Sequence, residues 1–234
     1  SRSLVGEGEG LQRAALVALD QIQGGGLTAA DVLPRMNAKD EALRATSVWI
    51  VRRHPDWGVS LADYFAARLE KADSLSTEEQ ELTIDLLASL AESPEIQTLL
   101  LKHLDADNRP AMELCLSAIA HTTLSATPLT WLDALNQCLS GADDSSVAAT
   151  IAAVRNLPLP KEGHPALQET LANVAAKTSV STENRIAALS AAGPGRVLNE
   201  ETFSLLLSMI ADEQGSNDRT TACNCLAAAS LKIE

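Results

Sequence analysis

Apolar residues recur along this chain every three to four positions, in runs separated by short polar or glycine- and proline-containing breaks. Leu167, Leu171 and Val174 fall at i, i+4 and i+7, and Phe203, Leu206, Leu207 and Ile210 at i, i+3, i+4 and i+7. This spacing gathers the residues on one face of a helix, where a strand would alternate them. The breaks include Gly24-Gly25-Gly26, Pro55 to Gly58, Ser93-Pro94, Thr127-Pro128, Pro158 to Pro165 and Gly193-Pro194-Gly195. They leave runs of roughly 9 to 17 residues, an ordinary helix length. Several starts carry caps: a capping box over Ser76 to Glu79, a cap residue before Pro at Ser93-Pro94 and Thr127-Pro128, and Asp144 or Ser145. In 81–91, Leu82, Leu86 and Leu90 form one stripe and Ile84, Leu87 and Ala91 another. A helix apolar on two sides must be covered on two sides.

The helical runs repeat. Ala-rich segments starting at Leu11, Ala42, Glu81, Ala111, Val147, Glu183 and Asn217 can be laid over one another. Their third residues are Arg13, Arg44, Thr83, Glu113, Ala149, Arg185 and Arg219, spaced by 31, 39, 30, 36, 36 and 34 residues. A period in the thirties is that of a helix-pair solenoid, with each pair read as an outer helix, a tight turn and an inner helix. The expectation is an all-α superhelix of the HEAT/armadillo kind, with about seven helix pairs. Residues 11–234 would form a single repeat domain, and residues 1–10, with Gly6, Gly8 and Gly10, a flexible leader. The Leu11 segment has no outer partner before it, Lys232-Ile233-Glu234 is a weak terminal cap, and the chain opens on Ser1-Arg2-Ser3 without Met. These features suggest a piece of a longer solenoid.

Composition agrees with helices. Hydrophobic residues make up 46% and aromatics only 3%, so a core is affordable but a sandwich or barrel is disfavoured. The net charge of −13 argues against nucleic-acid binding, which needs a basic stripe, and against an anionic membrane surface. No apolar run is long enough to span a bilayer. Cys115, Cys138, Cys223 and Cys225 fit neither a disulfide framework nor a zinc spacing, and read as small apolar side chains.

Nothing here has the spacing of a catalytic, cofactor or metal motif. His54, His103, His121 and His164 are widely separated, although His103 and His121 could approach each other on adjacent helices with Cys115 near. Asp143-Asp144 and Glu78-Glu79 sit at helix starts, where negative charge suits the dipole. The glycine clusters are not phosphate loops, because no Lys-Ser/Thr follows them.

Two sets of residues remain as candidates. In His54-Pro55-Asp56-Trp57-Gly58, the structural reading puts His54 at a helix end, a stop at Pro55, a turn permitted by Gly58, and Trp57 against Trp49 or Tyr64. The functional reading places Trp49, His54, Asp56, Trp57 and Tyr64 around a surface pocket. The second set is Arg13, Arg44, Arg185 and Arg219, which share one repeat position. They could contact an acidic partner, or each could pair with an acidic turn residue of the next repeat in a ladder.

The stretch from Leu43 to Gly58, followed by Leu61 and Tyr64-Phe65, resembles the HEAT-repeat region of large bacterial membrane-bound dehydrogenases, over about residues 11 to 70. The resemblance implies a parent with a propeller-like sugar-dehydrogenase domain before the array and a c-type cytochrome after it, exported or periplasmic. The chain has no Cys-x-x-Cys-His for a c-type haem, so the redox chemistry of such a parent would lie elsewhere. The sequence therefore predicts a non-catalytic interaction or interdomain scaffold without a cofactor, whose partner is a protein or another domain of the same polypeptide. The alternatives are a fragment of a redox enzyme and a small-ligand binder near Trp49, Trp57 and Tyr64.

Overall fold

The computed structural model describes residues 8–22, 25–104, 108–141, 144–193, 200–211 and 216–229. Among them are thirteen α-helices and no strand: α1 (Glu9–Gln21), α2 (Ala29–Val32), α3 (Glu41–Arg52), α4 (Gly58–Leu69), α5 (Thr77–Ser89), α6 (Pro94–Leu104), α7 (Arg109–Ala120), α8 (Leu129–Gly141), α9 (Asp144–Asn156), α10 (Pro165–Ala176), α11 (Thr182–Ala192), α12 (Glu200–Ala211) and α13 (Ser216–Ala228). Short 3-10 turns occupy Leu33–Asn37, Pro55–Trp57 and Ala72–Ser74. The seven segments aligned in the sequence are the odd-numbered helices.

Packing divides the chain into two units, Ser1–Thr123 and Leu124–Glu234. In the first, odd helices stack in the order α1, α3, α5, α7, and even helices in the order α2, α4, α6. In the second, α9, α11 and α13 form one stack and α8, α10 and α12 the other. Each even helix also packs on the odd helix that follows it. Two layers built from consecutive helix pairs are the α-α solenoid arrangement.

The core lies between the layers. In the first unit Leu16, Val32, Ile50, Leu61, Phe65 and Leu86 are fully or almost fully buried; in the second, Trp131, Leu135, Ile151, Leu167 and Leu171 are. Each large apolar side chain so buried contributes roughly 1.5–3 kcal/mol. Polar residues inside the odd helices are accommodated locally. Ser47 donates its hydroxyl to the Leu43 carbonyl at 2.8 Å, Thr83 to Glu79 at 2.6 Å and Thr150 to Ser146 at 2.7 Å. Burial therefore leaves none of these hydroxyls unsatisfied.

The capping box is present: Glu79 N–H donates to Ser76 Oγ at 3.3 Å, and Ser76 N–H to Glu79 Oε2 at 2.9 Å. α6 starts at Pro94, as its sequence suggests. The other Pro cap differs. α8 starts at Leu129, and Thr127 Oγ1 donates to the Pro158 carbonyl at 2.8 Å. Thr127 thus ties two loops together across 31 residues of sequence. α1 begins at Glu9, two residues before the expected start of the repeat domain, with the Gly8 carbonyl accepting from the amides of Leu11 and Gln12. Asp143, Gly24, Pro194 and Gly195 lie outside the described residues.

Candidate functional site

α1 and α3 are neighbours in one layer, and their C-terminal ends meet. There the side chain of Asp20, 1% exposed, lies 2.7 Å from His54 Nε2 and 3.4 Å from Arg53 Nε. A carboxylate only accepts, so this bond assigns the ring proton to Nε2. The His54 bond offsets part of the desolvation of the buried carboxylate, whose Oδ2 has no hydrogen-bond partner and meets Arg53 only at ion-pair distance. The other face of the cluster is aromatic. The His54 ring stacks on Trp57 with centroids 4.1 Å apart and planes 10° from parallel. Arg53 lies over the Trp49 ring, 4.6 Å from its centroid, close enough for a cation–π contact. Asp56 Oδ1 stands 3.8 Å from His54 Nδ1 and is largely exposed.

Several sequence expectations change here. His54 follows the end of α3, as expected, but its ring is turned to Asp20 of α1. Trp57 packs on His54 and not on Trp49 or Tyr64, because the 3-10 turn brings it back under the imidazole. Gly58 has an ordinary helical φ of −51°, so it supplies no unusual turn. Its role is proximity: a Cβ there would collide with Cβ and Oγ of Ser93 at the start of α6. The first turn of α4 can sit against α6 only without a side chain.

The proposed aromatic pocket does not assemble. Trp57 is buried, and Tyr64 belongs to another group, with Phe65 edge-on at 5.2 Å and Arg68 bonded to its hydroxyl at 3.1 Å. A cavity of about 430 Å³ does open beside Asp56. It is lined by Pro55, Asp56, Val59 and Glu92 to Glu95, so Asp56 reaches it while Trp49, His54, Trp57 and Tyr64 do not. Trp49 remains 42% exposed on α3.

The arginine row resolves into different fates. Arg44 donates to the Ala38 carbonyl at 2.8 Å, and the buried Arg185 donates through Nε to the Ala175 carbonyl at 2.7 Å. Both acceptors lie at or just past the end of the preceding helical segment, where carbonyls lack intrahelical donors. These arginines clamp their own repeat, and the expected acidic partner is replaced by backbone. Arg13 and Arg219 are exposed and have no partner among the described residues. Where the row has Thr83, Arg68 reaches across from α4, donating to Thr83 Oγ1 at 2.9 Å and to the Glu79 carbonyl at 3.3 Å. Asp20 and Arg68 were not visible as site residues in the sequence, since their partners are 34 and 15 positions away.

The remaining titratable groups are individually housed. His121 donates from Nδ1 to the Ser117 carbonyl at 2.7 Å. His164 caps α10, its Nδ1 accepting from Leu167 N–H at 3.1 Å, which leaves Nε2–H to donate to Asp133 at 3.1 Å. Burial pushes the Cys115 thiol up to about 12 and raises Cys225, whereas Cys223 is exposed. No group of three His, Cys, Asp or Glu able to hold a metal occurs among the described residues. No described helix is long and apolar enough to cross a membrane.

No protein-family model and no curated protein matches the chain. Solved structures do. The archaeal HEAT-like repeats protein from Thermococcus onnurineus NA1 is 10% identical with a TM-score of 0.56, covering 95% of this chain and 97% of that one. A designed armadillo repeat protein in complex with the peptide (KR)4 is 16% identical at a TM-score of 0.45, over 84% of this chain and 97% of that one. Another designed armadillo repeat protein is 15% identical at 0.43, over 86% and 99%. The archaeal protein shares the fold, and the chain is a HEAT-like α-α solenoid in architecture.

Proposed function

We propose that the chain is a non-catalytic interaction module, which presents the exposed part of α3 around Trp49 to a protein partner or to another domain of its own polypeptide. The carrying observation is Trp49 itself. It is a large aromatic left 42% exposed and braced by Arg53 at 4.6 Å. Trp and Arg are the side chains most enriched among residues that dominate binding energy. Arg52, bonded to Asp85 of α5 at 2.7 Å, extends the same end of α3 with a charged rim. The repeat fold supports this reading, since stacked helix pairs supply an extended rigid surface.

A photoactivatable residue placed at Ala45 of the full-length protein, one turn before Trp49 on α3 and exposed, with a matched one at Lys71, tests this while leaving Trp49 in place. One defined adduct from position 45 and none from position 71 is expected. Equal labelling of the same species from both positions would refute the assignment of this face.

A finer reading follows the resemblance of residues 43–65: the array would belong to a membrane-bound dehydrogenase whose propeller and haem domains lie elsewhere in an exported parent. It is favoured only by that string, most of whose unusual residues have packing partners here. The flanking sequence of the gene product decides it. A propeller before residue 1 and a Cys-x-x-Cys-His after residue 234 are what this reading requires.

A further inference from the structure

His103 differs from the other three histidines. Each of those has a hydrogen-bond partner, whereas His103, 6% exposed in the last turn of α6, has a partner at neither Nδ1 nor Nε2. Leu99, Leu100 and Leu104 of the same helix are buried near that end, and Ile96 at its start. α6 packs on α4 and α7. The charged groups on these elements are accounted for. On α6, Lys102 adjoins the ring and opposes a second positive charge, and Glu95 is held at the far end by Ser93. On α4, Arg68 is engaged by Thr83 and Tyr64, Asp63 is exposed, and Glu70 at the C-terminal end is the carboxylate that favours protonation. On α7, Arg109 and Glu113 pair at the surface, and the Cys115 thiol is neutral. Asp105 and Asp107 lie outside the described residues.

A neutral imidazole in such a place already leaves one donor and one acceptor without partners. An imidazolium brings a charge and two unsatisfied N–H donors into an apolar layer. We propose that His103 is an acid-sensitive release point, and that protonating its ring drives the end of α6 off α4 and α7 and opens this corner of the first unit. Burial is the main influence lowering the proton affinity of the folded-state ring, Lys102 adds to it, and Glu70 counters it. A folded-state pKa below the unfolded value of 6.5 means that the unfolded chain takes up the proton first. The stability that depends on a neutral His103 is therefore complete above that value and is lost as pH falls through the folded-state pKa.

The test is hydrogen exchange on the whole chain at about pH 7.5 and about pH 5.5, corrected for intrinsic rate, alongside NMR titration of the His103 ring. Acid should speed exchange in α6 and α7 by about tenfold or more relative to α1 and α3, and His103→Leu should abolish the difference. Uniform acceleration across the chain would overturn the proposal, as would acceleration that persists in His103→Leu. So would a His103 ring that titrates at or above the ordinary histidine value in the wild-type protein. That last reading does not depend on the variant folding.

Discussion

Asp20 and His54, 34 residues apart, meet at 2.7 Å where the ends of α1 and α3 come together. The contact joins the first odd helix to the second, and it converts what reads as a local helix-stop string into a link between repeats. His54→Ala leaves the Asp20 carboxylate buried with only Arg53 nearby, and should lower unfolding free energy by about 1–3 kcal/mol. Asp20→Asn with His54→Ala should cost less than the sum of the single changes in a double-mutant cycle followed by urea denaturation. Strict additivity would mean that the two side chains do not interact.

Gly58 and Ser93 fix the approach of α4 to α6. Gly58→Ala should destabilise by about 1–3 kcal/mol through overpacking, and Ser93→Gly in that background should restore part of the loss. A Gly58→Ala protein with an unchanged urea midpoint would show that the helices can separate without cost.

The arginine positions should separate into two classes. Arg185→Ala removes the donor to a buried carbonyl and should cost about 1–3 kcal/mol. Arg13→Ala and Arg219→Ala should stay within about 0.5 kcal/mol of wild type, as exposed substitutions do. Thermal unfolding of the three variants decides between this pattern and an equal contribution from every member of the row.

Thiol reactivity should follow burial. With its pKa at about 12, Cys115 carries almost no thiolate at neutral pH and is also sterically covered. Ellman's reagent on the native protein should modify Cys223 first and Cys115 only on denaturation. Early labelling of Cys115, identified by peptide mapping, would contradict the packing of α7.

Glu79 carries a second, local pH dependence. Its bond from the Ser76 amide holds the carboxyl below the usual glutamate range, with the Ser76 hydroxyl adding to the effect. A lowered folded-state pKa stabilises the start of α5 above the unfolded value, and that contribution is lost as pH falls through the folded one. Amide exchange at the start of α5 should rise in acid in wild type and be less acid-dependent in Glu79→Gln.

What the sequence revealed depended on how far each cause reaches along the chain. The capping box from Ser76 to Glu79 and the odd-helix period were legible because each is set by neighbours in sequence or by a recurring pattern. Thr127 misled because its hydroxyl had two choices, and only folding brings the Pro158 carbonyl within 2.8 Å. Gly58 reads in the sequence as a turn glycine, since a turn glycine and a contact glycine look alike until Ser93 is placed beside it. The arginine row is legible as a repeat position, but the acceptors of Arg44 and Arg185 are backbone carbonyls at 38 and 175, and carbonyls leave no trace in side-chain identity. Asp20 is one of 31 acidic residues, and no local pattern marks it out.

The central claim is that the Trp49 face of α3 binds a protein. It is tested most directly by the affinity of the captured partner for wild type and for Trp49→Ala, measured with unfolding midpoints in parallel. Truncating a residue that dominates the interface should weaken binding by roughly thirtyfold or more, with little change in stability. Equal affinity for the two proteins would contradict the account.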